Sequence, residues 1–330
     1  MNEKTDGNLN RREFVKRLGK ATASIAAAAA VSCIAYDSKG PEAEPEKKLV
    51  TLADFSVPQE QGRIISIVTG SDRARTVNKA VKLLGGIERF VKSGETVVIK
   101  PNIAFASPAA LGATANPQLV AELVSLCYKA KAKKVYVTDN PINDAASCFA
   151  ISGIGKAAAT AGAEVVLPKP RHFSHTTLAN GKWIRDWPIF YGPFEKADKV
   201  IGVAPVKDHR RSGASMSMKN FYGLLGGRRN IFHQDINTII AELAMMVKPT
   251  LVILDGTEVM MSNGPTGGSL SDLTRKNTLI ASTDMVAADS FGCSLLGLKP
   301  SDLPYLAKAE AAQAGTTDFE SLKPRIAQVS

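Results

Sequence analysis

The sequence predicts an α/β fold in which a mostly parallel β-sheet is covered by helices on both faces. Segments typical of strands and of helices alternate regularly from about Gly62 onward. Most of the strand segments are almost continuously apolar, as in sheets that are buried on both faces. The 330 residues are 45% hydrophobic and 22% charged, which is typical of a soluble globular protein and excludes disordered, collagen-like and disulfide-scaffold classes.

The first half of this domain contains three strands and two helices. The apolar run 63–68 predicts a strand, and residues 75–91 place apolar side chains at helical spacing. The β-branched run 96–99 predicts a second strand. The segment 116–129 begins with Asn-Pro, which predicts a helix because Asn caps the first turn and Pro fits into it. A third strand is predicted at 135–138.

The second half repeats the same alternation. The predicted elements are helices at 155–161, 235–247, 285–296 and 303–314, and strands at 164–167, 199–204, 250–254 and 277–281. Asp284 directly precedes the helix that starts at Met285, so its predicted role is that of an N-cap.

The first 32 residues are predicted to be a twin-arginine export signal. Arg11 and Arg12 are followed by Phe14, by Lys16 and then by a weakly apolar, Ala-rich stretch at 21–31. This stretch is too short and too polar to predict a transmembrane helix, and an ordinary basic amphipathic helix is the alternative. The sequence therefore predicts an exported protein, periplasmic or lipid-anchored on the outside of the cytoplasmic membrane.

Cys33 follows the signal directly and has two possible fates. Cleavage at a small-x-small site would release a soluble protein, whereas cleavage at a lipobox would put a lipid on Cys33 and hold the protein at a membrane. Residues 33–61 contain Pro and acidic residues, which predicts an extended, solvated tether. The α/β domain is expected to occupy 62–330.

The remaining cysteines and the charge exclude several classes of site. Cys127, Cys148 and Cys293 have no spacing typical of a haem or an iron–sulphur cluster, and they predict buried free thiols, with one disulfide as the alternative. Lys and Arg number 41 against 31 Asp and Glu, for a net charge of +10. This mildly basic balance predicts a small anionic ligand and no nucleic acid.

Polar and charged side chains cluster directly after several predicted strands. They are Lys100 and Asn102, Asp139, Lys207 and His209, and Asp255. Ligands of open α/β sheets bind at the carboxyl ends of the strands, so we expect these side chains to face one cleft.

The segment 207–233 is rich in basic residues, hydroxyls and glycines and is predicted to be a long functional loop. Within it, Lys219 and Asn220 are candidates to bind a phosphate or a carboxylate. Lys207, His209 and His233 are candidate catalytic groups for proton transfer. Metal ligation by the histidines, or a solvated basic loop without function, are the alternatives.

A second Gly-rich loop occupies 264–269. Gly264 would let the backbone approach a ligand closely. The loop matches neither a Walker A motif nor a GxGxxG fingerprint, so nucleotide binding is not predicted.

Taken in order, these motifs resemble the domain of unknown function 362 family. The residues that carry the resemblance are Lys100-Pro101-Asn102, Thr138-Asp139-Asn140-Pro141, Lys207-Asp208-His209, Lys219-Asn220-Phe221-Tyr222-Gly223, His233, Lys248-Pro249, Asp255-Gly256, Gly264-Pro265, Asp284 and Asp289. The resemblance covers roughly 63–297. It implies a link to iron–sulphur proteins and, through that link, a redox partner protein, because family members often have that link and some carry ferredoxin modules.

Two classes of function follow from these observations. The first is an enzyme, with or without a link to redox chemistry, that acts on a small anionic substrate in a cleft lined by Lys and His. The second is a non-catalytic ligand-binding or accessory protein of a periplasmic redox complex. The sequence identifies no cofactor, metal or reaction.

Overall fold

The computed structural model describes residues 10–35, 49–58 and 62–329. The chain divides into two compact units, Met1–Lys47 and Lys48–Ser330, and the α/β domain lies in the second.

The described part of the first unit is a single long helix, α1, at Arg11–Ala35. Cys33 belongs to its last turn, but the Cys33 side chain and the residues 36–48 of the predicted tether lie outside the described residues. Among the described residues, no helix combines the length and the apolar character that a membrane crossing needs.

The second unit is built around a nine-stranded mixed sheet. Its strands and those of a separate hairpin are β1 Ile65–Thr69, β2 Thr96–Pro101, β3 Lys134–Thr138, β4 Glu164–Val166, β5 Phe173–Thr176, β6 Trp187–Phe190, β7 Lys199–His209, β8 Gly213–Ser215, β9 Leu251–Met260, β10 Leu273–Ser282 and β11 Arg325–Gln328. The strand order is β11-β1-β10-β9-β7-β2-β3-β4, β8 pairs with β7, and β5 and β6 form the separate hairpin. Within the described sheet, β8 and β10 run opposite to the other strands.

Helices cover both faces of this sheet. They are α2 Arg73–Leu83, α3 Pro117–Lys129, α4 Ala145–Ile151, α5 Ile154–Thr160, α6 Ser217–Asn220, α7 Ile236–Met246, α8 Met285–Leu295 and α9 Pro304–Ala311. Alternate strand residues point to opposite faces, so Val97 and Ile99 pack with α2 to α5 while Val98 packs with α6 to α9. The predicted fold class is confirmed.

The helix predicted at 75–91 ends earlier than expected. α2 stops at Leu83, and Gly85 and Gly86 follow with φ values of 110° and 87°. Residues with such positive φ values cannot continue a right-handed helix, so the chain breaks there and resumes as a short 3₁₀ turn at Ile87–Arg89.

Residues 49–58, which fall in the range predicted as a tether, contribute to the core of the second unit. Phe55 is 1% exposed, and its amide donates to the carbonyl of Lys248 at 3.1 Å. The folded unit therefore includes a segment that precedes Gly62.

The prediction of a long loop at 207–233 is wrong in its local structure. Lys207 and His209 belong to the end of β7, which turns back through a short hairpin into β8. The chain then forms α6 and two 3₁₀ segments, Phe221–Leu224 and Arg229–Asp235. The start of this segment is ordered by backbone hydrogen bonds between β7 and β8. The irregular side-chain pattern of the segment does not reveal this pairing.

The three cysteines of the second unit agree with the sequence prediction. Cys127, Cys148 and Cys293 are free and buried, and burial raises the pKa of Cys127 and of Cys293 to about 12. Both thiols are therefore inert parts of the core at neutral pH.

Candidate functional site

A cleft of about 350 Å³ opens at the carboxyl ends of β2 and β3, beside the last residues of β7. We call it the cationic cleft. Eight of the ten residues predicted for the site line it: Asn102, Asp139, Lys207, His209, Lys219, Asn220, His233 and Gly264. A ninth, Lys100, lies directly behind the wall and contacts Asp139 and Asn220.

Asp255 is not brought to the cleft. It sits inside β9 and not after it, on the face that Ile253 and helix α2 share. Its carboxylate accepts a hydrogen bond from Arg73 Nε at 2.7 Å. Asp255 therefore serves an ion pair that joins α2 to the sheet.

Lys100 is a buried lysine with a complete set of partners. Its side chain is 1% exposed, and Nζ lies 2.7 Å from Asp139 Oδ1 and 2.9 Å from Asn220 Oδ1. Asp139 in turn accepts the amides of Ile103 at 2.7 Å and Asn140 at 2.9 Å. This network connects the ends of β2 and β3 to α6 and so fixes the positions of these three elements beside the cleft.

Gly223 packs against this ion pair with no room for a side chain. A Cβ at this position would lie 2.2 Å from Asp139 Oδ1 and 3.0 Å from Lys100 Nζ. A glycine is therefore required where the 3₁₀ segment crosses the buried charges.

Lys207 is the second buried lysine, also 1% exposed, and it lines the cleft directly. Its Nζ donates to two neutral oxygens, Ala113 O at 2.5 Å and Asn102 Oδ1 at 3.3 Å, and lies 5.3 Å from the centroid of the Phe105 ring. Burial, together with the nearby ammonium of Lys219, lowers the pKa of Lys207 to about 7. Both protonation states are therefore populated at neutral pH.

Helix α6 carries Lys219 and Asn220 to the cleft, and a buried carboxylate holds its first turn. Asp289 of α8 accepts the amides of Ser217 at 2.7 Å and Met218 at 3.0 Å. Burial raises the pKa of Asp289 to about 7. Such a cap orients a helix of only four residues, which has little intrinsic stability.

Lys219 is partly buried in the cleft wall, with its Nζ 5.0 Å from the centroid of the Tyr222 ring. Among the described residues, no carboxylate lies within ion-pair distance of it. Burial, followed by the charge of Arg229, lowers the pKa of Lys219 to about 8. An ammonium without a counter-charge is suited to bind an anion.

Arg229 and Tyr222 also line the cleft, and neither was predicted for the site. The Arg229 guanidinium donates to backbone carbonyls, the closest being Pro141 O at 2.7 Å. The Tyr222 hydroxyl donates to the Arg229 carbonyl at 2.5 Å. The sequence signal available for Arg229 was the basic pair that follows two glycines, in a segment without helical or strand periodicity.

The two histidines lie side by side in the cleft wall, with ring centroids 6.1 Å apart and planes inclined by 18°. His209 Nδ1 accepts the amides of Arg211 at 3.2 Å and Ser212 at 3.3 Å, so the proton of the neutral ring is assigned to Nε2. Burial, then the charge of Lys219, lowers the pKa of His209 to about 3 and also lowers that of His233. Neutral His209 is therefore a hydrogen-bond donor at the cleft.

Gly264 forms part of the cleft rim where the backbone comes close to the chain at Asp208. A Cβ on Gly264 would lie 1.9 Å from the Asp208 carbonyl oxygen, and the Gly264 amide donates to Asp208 Oδ2 at 3.0 Å. Gly264 thus lets the loop close over the end of β7.

The charges in the cleft are strongly unbalanced. Of the described residues that line it, Asp139 is the single carboxylate, and Lys100 already neutralises it. Lys207, Lys219 and Arg229 contribute positive charge, with Arg210 and Arg211 exposed at the rim. Among the described residues, no group of three or more His, Cys, Asp or Glu is placed to hold a metal ion.

The fold and this site define an α/β protein with a cationic cleft at the carboxyl edge of its sheet. Residues 97–294 match the family described as domain of unknown function (DUF362). The chain belongs to this family, because the match covers more than half of it, and the resemblance seen in the sequence is confirmed.

The chain is similar to a curated protein and to several solved structures. The chain is 26% identical over 254 residues to the thylakoid-associated protein sll1697 of Synechocystis sp., covering 73% of this chain and 75% of that protein. The lactate racemase apoprotein from Thermoanaerobacterium thermosaccharolyticum is 12% identical with a TM-score of 0.39, over 74% of this chain and 58% of that one. A protein from Thermotoga maritima is 11% identical with a TM-score of 0.39, over 68% and 59%.

Proposed function

We propose that this protein is an enzyme that binds a small organic anion in the cationic cleft and transfers a proton to or from it. The observation that carries the proposal is the convergence of Lys207, Lys219 and Arg229 on a cleft whose one lining carboxylate, Asp139, is already neutralised by Lys100. A carboxylate or phosphate of the ligand would supply the missing negative charge.

The residues divide into binding and proton-transfer groups. Lys219 and Arg229 attract the anion, and the Nε2–H of neutral His209 donates a hydrogen bond to it. Lys207 exchanges its proton near neutral pH, because its pKa is about 7, which is the value that suits a general acid or base. Lys100, Asp139 and Asn220 keep this arrangement in place.

Calorimetric titration with inorganic phosphate and with malonate tests the binding step. At constant ionic strength, which removes differences in screening, we expect saturable binding to the wild type. Lys219→Met should weaken it about tenfold, because a charge-assisted hydrogen bond contributes about 1.5 kcal/mol or more.

The matched control is Lys134→Met, which removes an exposed lysine on β3. This variant should bind both anions like the wild type. Equal affinity in Lys219→Met and in the wild type would contradict the proposal.

Turnover distinguishes the enzyme from the alternative, a non-catalytic ligand-binding or accessory protein of a redox complex. NMR of a mixture of small organic acids incubated with the protein should show the depletion of at least one of them. Lys207→Arg should abolish the depletion, since Arg keeps the charge but does not release a proton near pH 7. Tight binding without depletion would favour the accessory protein.

We also propose that the chain is exported through its twin-arginine signal and is anchored by a lipid on Cys33. The Arg11-Arg12-Glu13-Phe14 sequence supports export, and the separate helical unit that contains it is compatible with a removable signal. The Synechocystis relative is named thylakoid-associated, which agrees with a position at a membrane.

Two measurements test export and anchoring separately. Changing both Arg11 and Arg12 to Lys should leave the precursor in the cytoplasm, and normal export of that variant would disprove the signal. Mass spectrometry of the mature N-terminus should find a lipid on Cys33, and an unmodified Cys33 would disprove the anchor.

A further inference from the structure

Lys207 and Lys100 are equally buried, but they differ in the charge of the oxygen atoms that their Nζ atoms contact. Lys100 Nζ is committed to a carboxylate at 2.7 Å. The oxygens bound by Lys207 Nζ belong to an amide side chain and a backbone carbonyl, and among the described residues no carboxylate lies within ion-pair distance of it. The neutral amine can keep both oxygens as acceptors while its lone pair remains free.

The surroundings of Lys207 favour that neutral amine. Phe105 forms an apolar wall at 5.3 Å, and the positive charge of Lys219 disfavours protonation. Desolvation and a neighbouring cation are the two devices that activate lysines for attack on carbonyl groups.

We propose that Lys207 forms an imine with the carbonyl carbon of an oxo acid whose carboxylate is bound by Lys219 and Arg229. The proposal deepens the proposed function, on which it rests, by naming the substrate class. The structure supports the proposal because Lys207, Lys219 and Arg229 line the same cleft.

The step balances without an oxidant or reductant. The Lys207 amine attacks the carbonyl carbon, a C–N bond forms, and the C=O π electrons move to oxygen to give a carbinolamine. The amine proton moves to that oxygen, Lys219 donates a further proton as the C–O bond breaks, and water leaves. Loss of the nitrogen proton gives the neutral imine and restores Lys219.

Reductive trapping tests this inference directly. The full-length chain is incubated with pyruvate and sodium cyanoborohydride at pH 7, and the modified peptides are mapped by mass spectrometry. We expect a reduced adduct on Lys207 that forms roughly a thousandfold faster than on an exposed lysine such as Lys134, because about half of Lys207 is unprotonated at pH 7, whereas a lysine with an ordinary pKa is almost fully protonated.

Two variants and one competitor sharpen the test. Inorganic phosphate should slow adduct formation on Lys207 and leave the adduct on Lys134 unchanged. Lys207→Arg should yield no adduct in that peptide. Lys219→Met should slow the reaction at Lys207 about tenfold, since the variant lacks both a carboxylate ligand and the proton donor.

The possible results separate the two proposals. Trapping at exposed lysines with none at Lys207, in a protein that still binds phosphate and malonate, would overturn the imine and leave the anion-binding enzyme standing. Absence of both trapping at Lys207 and anion binding would overturn both. Phosphate-sensitive trapping at Lys207 would support the imine.

Discussion

Lys100 and Lys207 are both 1% exposed, yet their surroundings differ in one respect. Lys100 has a carboxylate at 2.7 Å, and Asp139 is in turn held by two backbone amides. Lys207 has neutral acceptors and faces the cleft. The same residue type at the same sheet edge therefore has two environments: Lys100 is held in an ion pair, and Lys207 lines the cleft without a counter-charge.

The difference shows what a counter-charge does in this molecule. A buried charge that has its partner stabilises the fold only while both partners remain. A buried lysine without a counter-charge destabilises its own protonated form, which shifts its chemistry into the neutral pH range. Substitution of Lys100 should therefore mainly affect the stability of the fold, and substitution of Lys207 should mainly affect reactivity at the cleft.

The largest effect is expected when the pair is broken. Lys100→Met leaves Asp139 as an uncompensated buried charge, which should lower the free energy of unfolding by about 3–5 kcal/mol. Lys207→Met should cause no such loss, because no buried carboxylate loses its partner. Urea denaturation of both variants measures the comparison, and equal losses would refute the distinction between the two lysines.

An intermediate loss of stability is expected at Asp289, a buried carboxylate that is held by backbone amides. Asp289→Ala leaves the amides of Ser217 and Met218 without their acceptor, which should lower the free energy of unfolding by about 2–3 kcal/mol at pH 5, where the carboxyl group is still protonated. The pKa of Asp289 is raised from 3.8 to about 7, so its contribution to stability falls as the pH rises from about 4 to 7.

That fall in stability between pH 4 and 7 should be smaller in Asp289→Ala than in the wild type. Phosphate binding at the cleft should also weaken, because α6 carries Lys219. Wild-type phosphate affinity in this variant would show that the cap does not position Lys219.

The pH dependence of stability should identify Lys207 itself. Its pKa falls from the ordinary lysine value of 10.5 to about 7 in the folded state, so the unfolded chain binds more protons between these values and stability rises with pH. Between pH 7 and 9 this group should add about 2 kcal/mol to the free energy of unfolding.

In Lys207→Met, the free energy of unfolding should no longer show this rise between pH 7 and 9. In Lys134→Met, the rise should remain. Parallel curves for the wild type and Lys207→Met would mean that Lys207 has an ordinary pKa.

The smallest effect is expected at the exposed pair of Lys134 and Glu164, whose N–O distance is also 2.7 Å. Solvent screens such pairs, and many of them contribute nothing measurable. Lys134→Met should therefore leave the melting temperature unchanged within error. A clear drop would show that proximity of charges, and not burial, controls the difference between these pairs.

Part of the architecture could be predicted from local signals alone. Short sequence patterns predict the N-cap at Asn116 and the neighbouring strands. In the structure, the Asn116 side chain accepts the amides of Gln118 and Leu119, as expected. Asp284 likewise caps α8 through the amides of Val286 and Ala287. Such features depend on a few neighbouring residues, which is why the sequence reveals them.

Other features escaped prediction because they depend on distant parts of the chain. Asp255 was expected at the end of a strand, but β9 continues to Met260 through its pairing with β10. The partner of its carboxylate is Arg73, a residue of α2 that lies 182 positions away in the chain. No local pattern indicates such a partner.

The sequence by itself determined the alternation of strands and helices, and with it the edge of the sheet where polar side chains gather. Hydrophobic periodicity and capping act over a few residues, so they can be read without the fold. Tertiary structure alone decided which lysine received the carboxylate. Lys100 and Lys207 both follow predicted strands. Only the packing of α6 and of the loop after β3 gives Lys100 a counter-charge, whereas Lys207 lines the cleft without one. The energy of a buried charge depends on partners brought together from distant parts of the chain, so its role appears only when the fold is complete.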